Sequence, residues 1–185
     1  LTGKTVEEYA STEVGVVLPA APKKKVTVVL GSESDIPTVA EFLKRGPYGN
    51  IGALSVNVIS CHRNPDALRR FAMTGCGGAD AVLAAGGKAF ALPGVLDALL
   101  ASNGFEIPVV GVALGKEVST SLQAAILSIQ ELPGEPVVMD DLEAAPFYGP
   151  GGFERALDQI ARGELPPLAP RTGKPPIFNI DLSRY

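Results

Sequence analysis

The chain has 185 residues, of which 46% are hydrophobic and 19% charged, with a formal net charge of −4. That length suits one domain with a sizeable buried core, and the balance of apolar to charged residues excludes a disordered polyelectrolyte. No basic stripe is present to neutralise phosphates, so nucleic acid is not an expected partner, and no apolar run reaches the ~18 residues of a membrane helix.

Cys61 and Cys76 are the only cysteines and form neither a CxxC pair nor a zinc spacing. No metal site and a reduced, cytoplasmic setting are therefore expected. The first 25 residues lack the apolar core of a signal peptide. Met73 and Met139 have no lysine beside them, so the biotin-carrier pattern is absent.

Residues 1–23 read as an N-terminal arm. Thr5–Tyr9 suits one helical turn, Val14–Leu18 is apolar, and the stretch from Pro19 to Pro22 breaks regularity. An α/β domain is expected over residues 24–162. It opens with Val26–Leu30, β-branched and almost continuously apolar, as for a strand covered on both faces. Gly31–Asp35 is the following loop, and Ile36–Lys44 a helix with Pro37 in its first turn. Leu54–Ile59 is the second strand, leading through Ser60–Asn64 into a helix from Pro65 to about Thr74, closed by Gly75-Cys76-Gly77-Gly78. Ala81–Ala85 is the third strand, with Gly86–Phe90 as its loop and Ala91–Ser102 as its helix, ending at the C-cap signature Asn103-Gly104. Pro108–Val112 is the fourth strand, Ser121–Glu131 an apolar-rich helix, Pro136–Met139 the fifth strand, and Phe153–Arg162 the last helix. Residues 163–185 are a proline-rich C-terminal tail.

Strand and helix thus alternate, with short turns between them. The pattern implies a five-stranded parallel sheet wrapped on both faces, a three-layer α/β domain. In such sheets ligands lie beyond the carboxyl ends of the strands, where strand order reverses. The loops 31–35, 60–66 and 86–90 all follow strands and so share that edge.

Their chemistry is suggestive. Ser60-Cys61-His62-Arg63-Asn64-Pro65-Asp66 holds the only histidine of the chain, with a hydroxyl and a guanidinium beside it. Together these supply an acceptor, a proton carrier and an anion clamp. The same stretch is also good helix-start chemistry, with Asn64 suited to cap free amides and Pro65 to the first turn. Gly31, Ser32, Ser34 and Asp35 offer amides and hydroxyls at a helix start, which favours an anion or simply caps the helix. Gly86 and Gly87 allow close approach of a ligand to the backbone, or form a tight strand–helix turn. GxxxxGK[ST] and GxGxxG are absent, which argues against an ordinary triphosphate or dinucleotide site.

Taken together, the loops resemble the PurE family, the aminoimidazole ribonucleotide carboxylases and N5-carboxyaminoimidazole ribonucleotide mutases of purine synthesis. Gly31-Ser32-Glu33-Ser34-Asp35 resembles the family's GSxSD, and Ser60-Cys61-His62-Arg63-Asn64-Pro65-Asp66 its SAHRTPD. Ala85-Gly86-Gly87 followed by Leu92-Pro93-Gly94 is similar to its third loop. The segment Ser128-Ile129-Gln130-Glu131-Leu132-Pro133-Gly134-Glu135-Pro136-Val137 is similar to SIxQMPxGxPV. The resemblance runs over roughly residues 24–162 and leaves the terminal arms uncovered.

The resemblance implies a flavodoxin-like domain assembled as a homo-oligomer, octamer or tetramer. It implies a reaction without metal or organic cofactor, on a ribonucleotide monophosphate and carbon dioxide, giving 4-carboxy-5-aminoimidazole ribonucleotide. Carbon 4 of an aminoimidazole is enamine-like and attacks carbon dioxide, leaving a proton for His62 to take. Arg63 suits the ribotide phosphate, with Ser60 as a further donor. Ser32 and Asp35 would orient the aminoimidazole and its carboxylate, with Gly31 and Ser34 completing the loop. The amides of Gly86 and Gly87 would stabilise the carboxylate or carbon dioxide.

The chain departs from the pattern in the third loop. The carboxylate-transferring subclass has a second histidine there, in AGGAAHLPG, which this chain lacks. The carbon dioxide-using subclass has GRSNALxG, matched without a gap if Lys88 stands for arginine and Phe90 for asparagine. The loop therefore points to direct use of carbon dioxide, with Lys88 either a cation beside the carboxylate or a solvent-facing loop lysine, although that subclass usually carries lysine where this chain has Arg63. Phe90, in place of a polar residue, is expected to shape a different pocket. Cys61, where the family commonly has alanine, reads as a small buried thiol. The alternatives are the mutase, a carboxylase acting on another ribotide, or a non-catalytic ribotide-binding module. An electron carrier or receiver domain is disfavoured, for want of stacking aromatics and of an acidic cluster.

Overall fold

The structure, a computed structural model, describes residues 23–46, 48–115 and 119–167. Apart from their inner ends, the expected N-terminal arm (1–23) and C-terminal tail (163–185) lie outside the described residues. Strand β1 spans Lys24–Leu30, and its Val26, Val28, Val29 and Leu30 are at most 1% exposed. It pairs in parallel with β2 (Ile51–Val58) on one side and β3 (Ala81–Gly86) on the other. Beyond β3 lies β4 (Val109–Ala113), also parallel, so the order is β2-β1-β3-β4. The chain runs outward from β1 to β2, then crosses back to β3. Strand order therefore reverses between β1 and β3, which in open α/β sheets marks the ligand crevice.

The two-residue period of each strand sorts its side chains onto two faces. Val26, Val28, Leu30, Leu83, Ala85, Val110 and Val112 form one core. They pack against α1 (Ile36–Lys44), through Val39, and against α5 (Gly149–Arg162), through Phe153, Leu157 and Ile160. Val29, Val82, Ala84, Val109 and Ala113 form the other core. It is covered by α2 (Pro65–Ala72), α3 (Leu92–Ser102) and α4 (Thr120–Gln130), through Leu68, Leu96, Leu100, Ala125 and Ile129. The expected three-layer α/β architecture follows, consistent with a flavodoxin-like domain.

Helix ends follow local chemistry. Pro37, Pro65, Pro93 and Pro150 occupy first turns, where a missing N–H costs nothing. Helix α5 begins at Gly149, earlier than the apolar pattern indicated. It stops at Gly163, whose φ of 78° lets its N–H close onto Gln159 O at 2.9 Å. At α3, the side-chain amide of Asn103 donates to Leu99 O at 2.8 Å.

The fifth strand expected at Pro136–Met139 is reduced to one parallel bridge, Val110 to Val138. Gly111 N–H donates to Val138 O at 2.8 Å, and Val138 N–H to Val109 O at 2.9 Å. Just beyond, the Asp141 carboxylate accepts from the N–H groups of Glu143 and Ala145, at 3.0 and 2.8 Å, and turns the chain away. Among the described residues the sheet therefore has four strands. The Gly75–Gly78 segment is a left-handed turn, with φ of 52° at Cys76 and 76° at Gly77. The Thr27 hydroxyl fixes it by donating to Cys76 O at 3.1 Å. No described helix is long and apolar enough to cross a membrane.

Candidate active site

Three backbone hydrogen bonds hold the carboxyl ends of the strands level. Ile59 N–H donates to Leu30 O at 3.0 Å, Gly31 N–H to Ala85 O at 3.1 Å, and Leu114 N–H to Gly86 O at 2.8 Å. The loops after β1, β2 and β3 consequently leave the sheet together.

In the first loop, Ser32 caps a single 3₁₀ turn, Glu33–Asp35. Its Oγ accepts from Ser34 N–H at 3.4 Å and from the Ser34 hydroxyl at 3.0 Å. Asp35 occupies the N-cap position of α1 yet makes no side-chain capping bond. The helix-cap role open to Asp35 in the sequence is thus not the one its carboxylate takes.

The second loop is tied by its own side chains. Ser60 N–H donates to Asn64 Oδ1 at 2.7 Å, and Arg63 N–H to Ser60 Oγ at 3.3 Å. Asn64 was suited to cap α2, but it makes no side-chain cap bond there, because its amide oxygen is turned back to Ser60. His62 Nδ1 lies 3.6 Å from Cys61 Sγ. Arg63 reaches across to the first loop, where Nη2 donates to Gly31 O at 3.4 Å.

The third loop runs through Lys88 at a φ of 55°, a left-handed conformation uncommon outside glycine. Lys88 is exposed, whereas Phe90 is buried, at 4% exposure.

These loops enclose one pocket of about 610 Å³. Gly31, Ser32, Ser34 and Asp35 line it from the first loop, Ser60, His62 and Arg63 from the second, and Gly86, Gly87 and Lys88 from the third. The candidate catalytic and binding residues named from the sequence therefore all line the same cavity. Cys61 and Phe90 line it too, as do Leu114, Gly115, Ser119 and Ser121 from the end of β4 and the start of α4. That fourth wall was not expected. The available signal was the strand–helix alternation itself, since β4 ends at the same edge, but its loop carried no motif that drew attention.

Asp35 and Arg63 set the electrostatics. Burial pushes the Asp35 carboxyl up from 3.8, opposed by a backbone hydrogen bond from Ser32 and by the Arg63 guanidinium. Burial likewise pushes the Cys61 thiol up, so it stays protonated near neutral pH. Hydroxyls, a guanidinium and an ammonium suit an anionic ligand, and an imidazole and a carboxyl suit proton transfer. Among the described residues, no group of three or more His, Cys, Asp or Glu side chains converges as a metal site.

Comparison with known proteins places the chain among named relatives. Residues 25–145 match the AIR carboxylase family. The N5-carboxyaminoimidazole ribonucleotide mutase of Pyrococcus abyssi is 34% identical over 122 residues, covering 65% of this chain and 67% of that protein. The protein of the same name from Mycobacterium tuberculosis is 33% identical over 121 residues, 64% of this chain and 66% of the relative. That from Synechocystis is 30% identical over 115 residues, 62% and 61% of the two chains. The chain spans about two thirds of the length of these curated relatives.

Proposed function

The chain belongs to the AIR carboxylase family, and on that premise we propose that it forms 4-carboxy-5-aminoimidazole ribonucleotide in de novo purine synthesis, by cofactor-free carboxylation of aminoimidazole ribonucleotide at carbon 4. The observation that carries this reading is the convergence of three strand-end loops on one pocket, with the chain's only histidine beside Arg63 and Ser60.

Carbon 4 attacks the carbon of carbon dioxide. A C–C bond forms, and one C=O electron pair moves onto oxygen to give the carboxylate. His62 takes the proton left on the tetrahedral carbon, restoring the aromatic ring. Arg63 and Ser60 hold the ribotide phosphate through charge-assisted hydrogen bonds. Gly31, Ser32, Ser34 and Asp35 orient the aminoimidazole. The amides of Gly86 and Gly87 and the ammonium of Lys88 meet the new carboxylate.

A second reading concerns only the carboxyl donor. The relatives named above are mutases, which favours transfer from the N5-carboxy substrate. The third loop, without a second histidine, favours free carbon dioxide. The product is the same in both. Purified protein is supplied either with aminoimidazole ribonucleotide and bicarbonate or with the N5-carboxy ribotide, and the carboxylated product is quantified. Turnover with bicarbonate supports the carboxylase. Turnover with the N5-carboxy ribotide alone transfers the assignment to the mutase. Ribotide binding without turnover from either donor leaves a binding module. The reading also includes a cytoplasmic location and a homo-oligomer, octamer or tetramer; apolar side chains left open on β2 and α4 support association as such.

A further inference from the structure

Phe90 occupies the place where the third loop folds back under the pocket. Lys88, at a φ of 55°, reverses the chain, and Ala91 N–H closes a tight turn onto Ala89 O at 3.2 Å. The ring that follows is 4% exposed, belongs to the core beneath α2 and α3, and also lines the pocket.

Two glycines make room for it. A Cβ on Gly86 would stand 2.4 Å from Phe90 Cε2 and 2.8 Å from Cδ2, and one on Gly31 would stand 3.2 Å from Cε2. Gly86 ends β3 and Gly31 follows β1, and those strands are neighbours. The ring thus fills the space between the two strand ends, at the point where strand order reverses. Glycine is needed at Gly86 for this packing reason, besides any closeness of backbone to ligand.

From this we infer that Phe90 is a specificity-determining residue, whose ring closes the pocket between Gly31 and Gly86 and limits the size of the group a ligand carries there. The ring is wedged against both strand ends, so a bulkier group can enter there only by displacing it. The ligands selected are ribotides of a five-membered heterocycle with, at most, a small planar substituent of carboxylate or carboxamide size. The inference rests on the ribotide reading above for the identity of the ligand, and on Phe90 alone for the size limit.

Calorimetric titration of the full chain tests it with two probes, 5-aminoimidazole-4-carboxamide ribonucleotide and its N-benzyl carboxamide. The wild type should prefer the parent by about tenfold or more, the scale on which apolar pockets discriminate by size. Phe90→Ala opens an apolar space able to take a benzene-sized group, and should shift that preference about tenfold towards the benzyl ligand. Phe90→Leu, which keeps more of the core filled, should give a smaller shift in the same direction. Wild type that binds both probes equally, or an unchanged preference in the folded Phe90→Leu protein, overturns the size limit while leaving the ribotide reading intact. Wild type that binds neither probe overturns the ribotide reading, and the inference with it.

Discussion

Arg63 and Gly31 join the second loop to the first: guanidinium Nη2 donates to the glycine carbonyl oxygen at 3.4 Å. That contact uses one of the five N–H donors of a guanidinium and holds the fork over the pocket, where it suits a phosphate. Arg63→Ala should weaken ribotide binding by about 10- to 100-fold, the worth of one or two charged hydrogen bonds. Arg63→Lys should recover part of the loss, because it keeps the charge but not the paired geometry. Titration calorimetry reads both, and wild-type affinity in Arg63→Ala would remove the clamp.

His62 is the chain's only imidazole, so no neighbouring histidine can replace it. His62→Asn should lower turnover by about 10²- to 10⁴-fold, the usual worth of a positioned base. Ribotide affinity should change only a few-fold. Steady-state rates set beside binding constants separate the two effects. A variant that turns over within tenfold of wild type would show that another group takes the proton.

Asp35 carries a carboxyl raised from 3.8, chiefly by burial. Folding therefore favours its protonated form. The associated stabilisation is fully present below the unfolded value and is lost as pH rises through the folded one. At neutral pH the wild type keeps a carboxylate charge in a half-buried place, so Asp35→Asn should raise the melting temperature there. The gain should be small, about 2 °C, given the solvent access of the group, and should vanish in acid below the ordinary carboxylate value. Thermal scans at both pH values check this. A lower melting temperature at neutral pH would mean that the Ser32 and Arg63 interactions outweigh burial.

The two thiols should differ in the native protein. Cys76 is 1% exposed, and burial pushes its thiol up to about 12. Cys61, expected to be a small buried thiol, instead lines the pocket and is only half-buried. A small aromatic disulfide reagent should label Cys61 in the native state and Cys76 only on unfolding. Labelling should accelerate as pH rises, since burial raises the Cys61 thiol too, and a bound ribotide should slow it. Equal native labelling of both cysteines would contradict the burial of the left-handed turn.

Val56 and Val58, on the edge strand β2, are 45% and 36% exposed, and Leu127 on α4 is 53% exposed. Among the described residues β2 is hydrogen-bonded on one side only, to β1. An open strand edge with apolar side chains invites another chain. Light scattering at micromolar concentration should return the mass of an oligomer, and a monomer there would count against the assembly.

Much of the fold was legible in order along the chain. The β-branched run at Val26–Leu30, the prolines in first turns and the glycines after helices report local energies that need no distant partner. The loops 31–35, 60–66 and 86–90 could be assigned to one edge because a parallel sheet sends every strand–helix loop the same way. The fifth strand was over-read, since an apolar run at Pro136–Met139 shows nothing of the Asp141 turn that ends its pairing at Val138.

Sequence alone determined the alternation of strand and helix, the two-faced burial that it demands, and the residues able to do chemistry. Those depend on periodicity and side-chain type, which are local properties. Tertiary structure decided that β1 lies between β2 and β3, that Ser119 and Ser121 reach the same cavity, and that the Phe90 ring lies between Gly31 and Gly86. Each of these depends on which distant segments meet, and that is settled by packing the whole core at once.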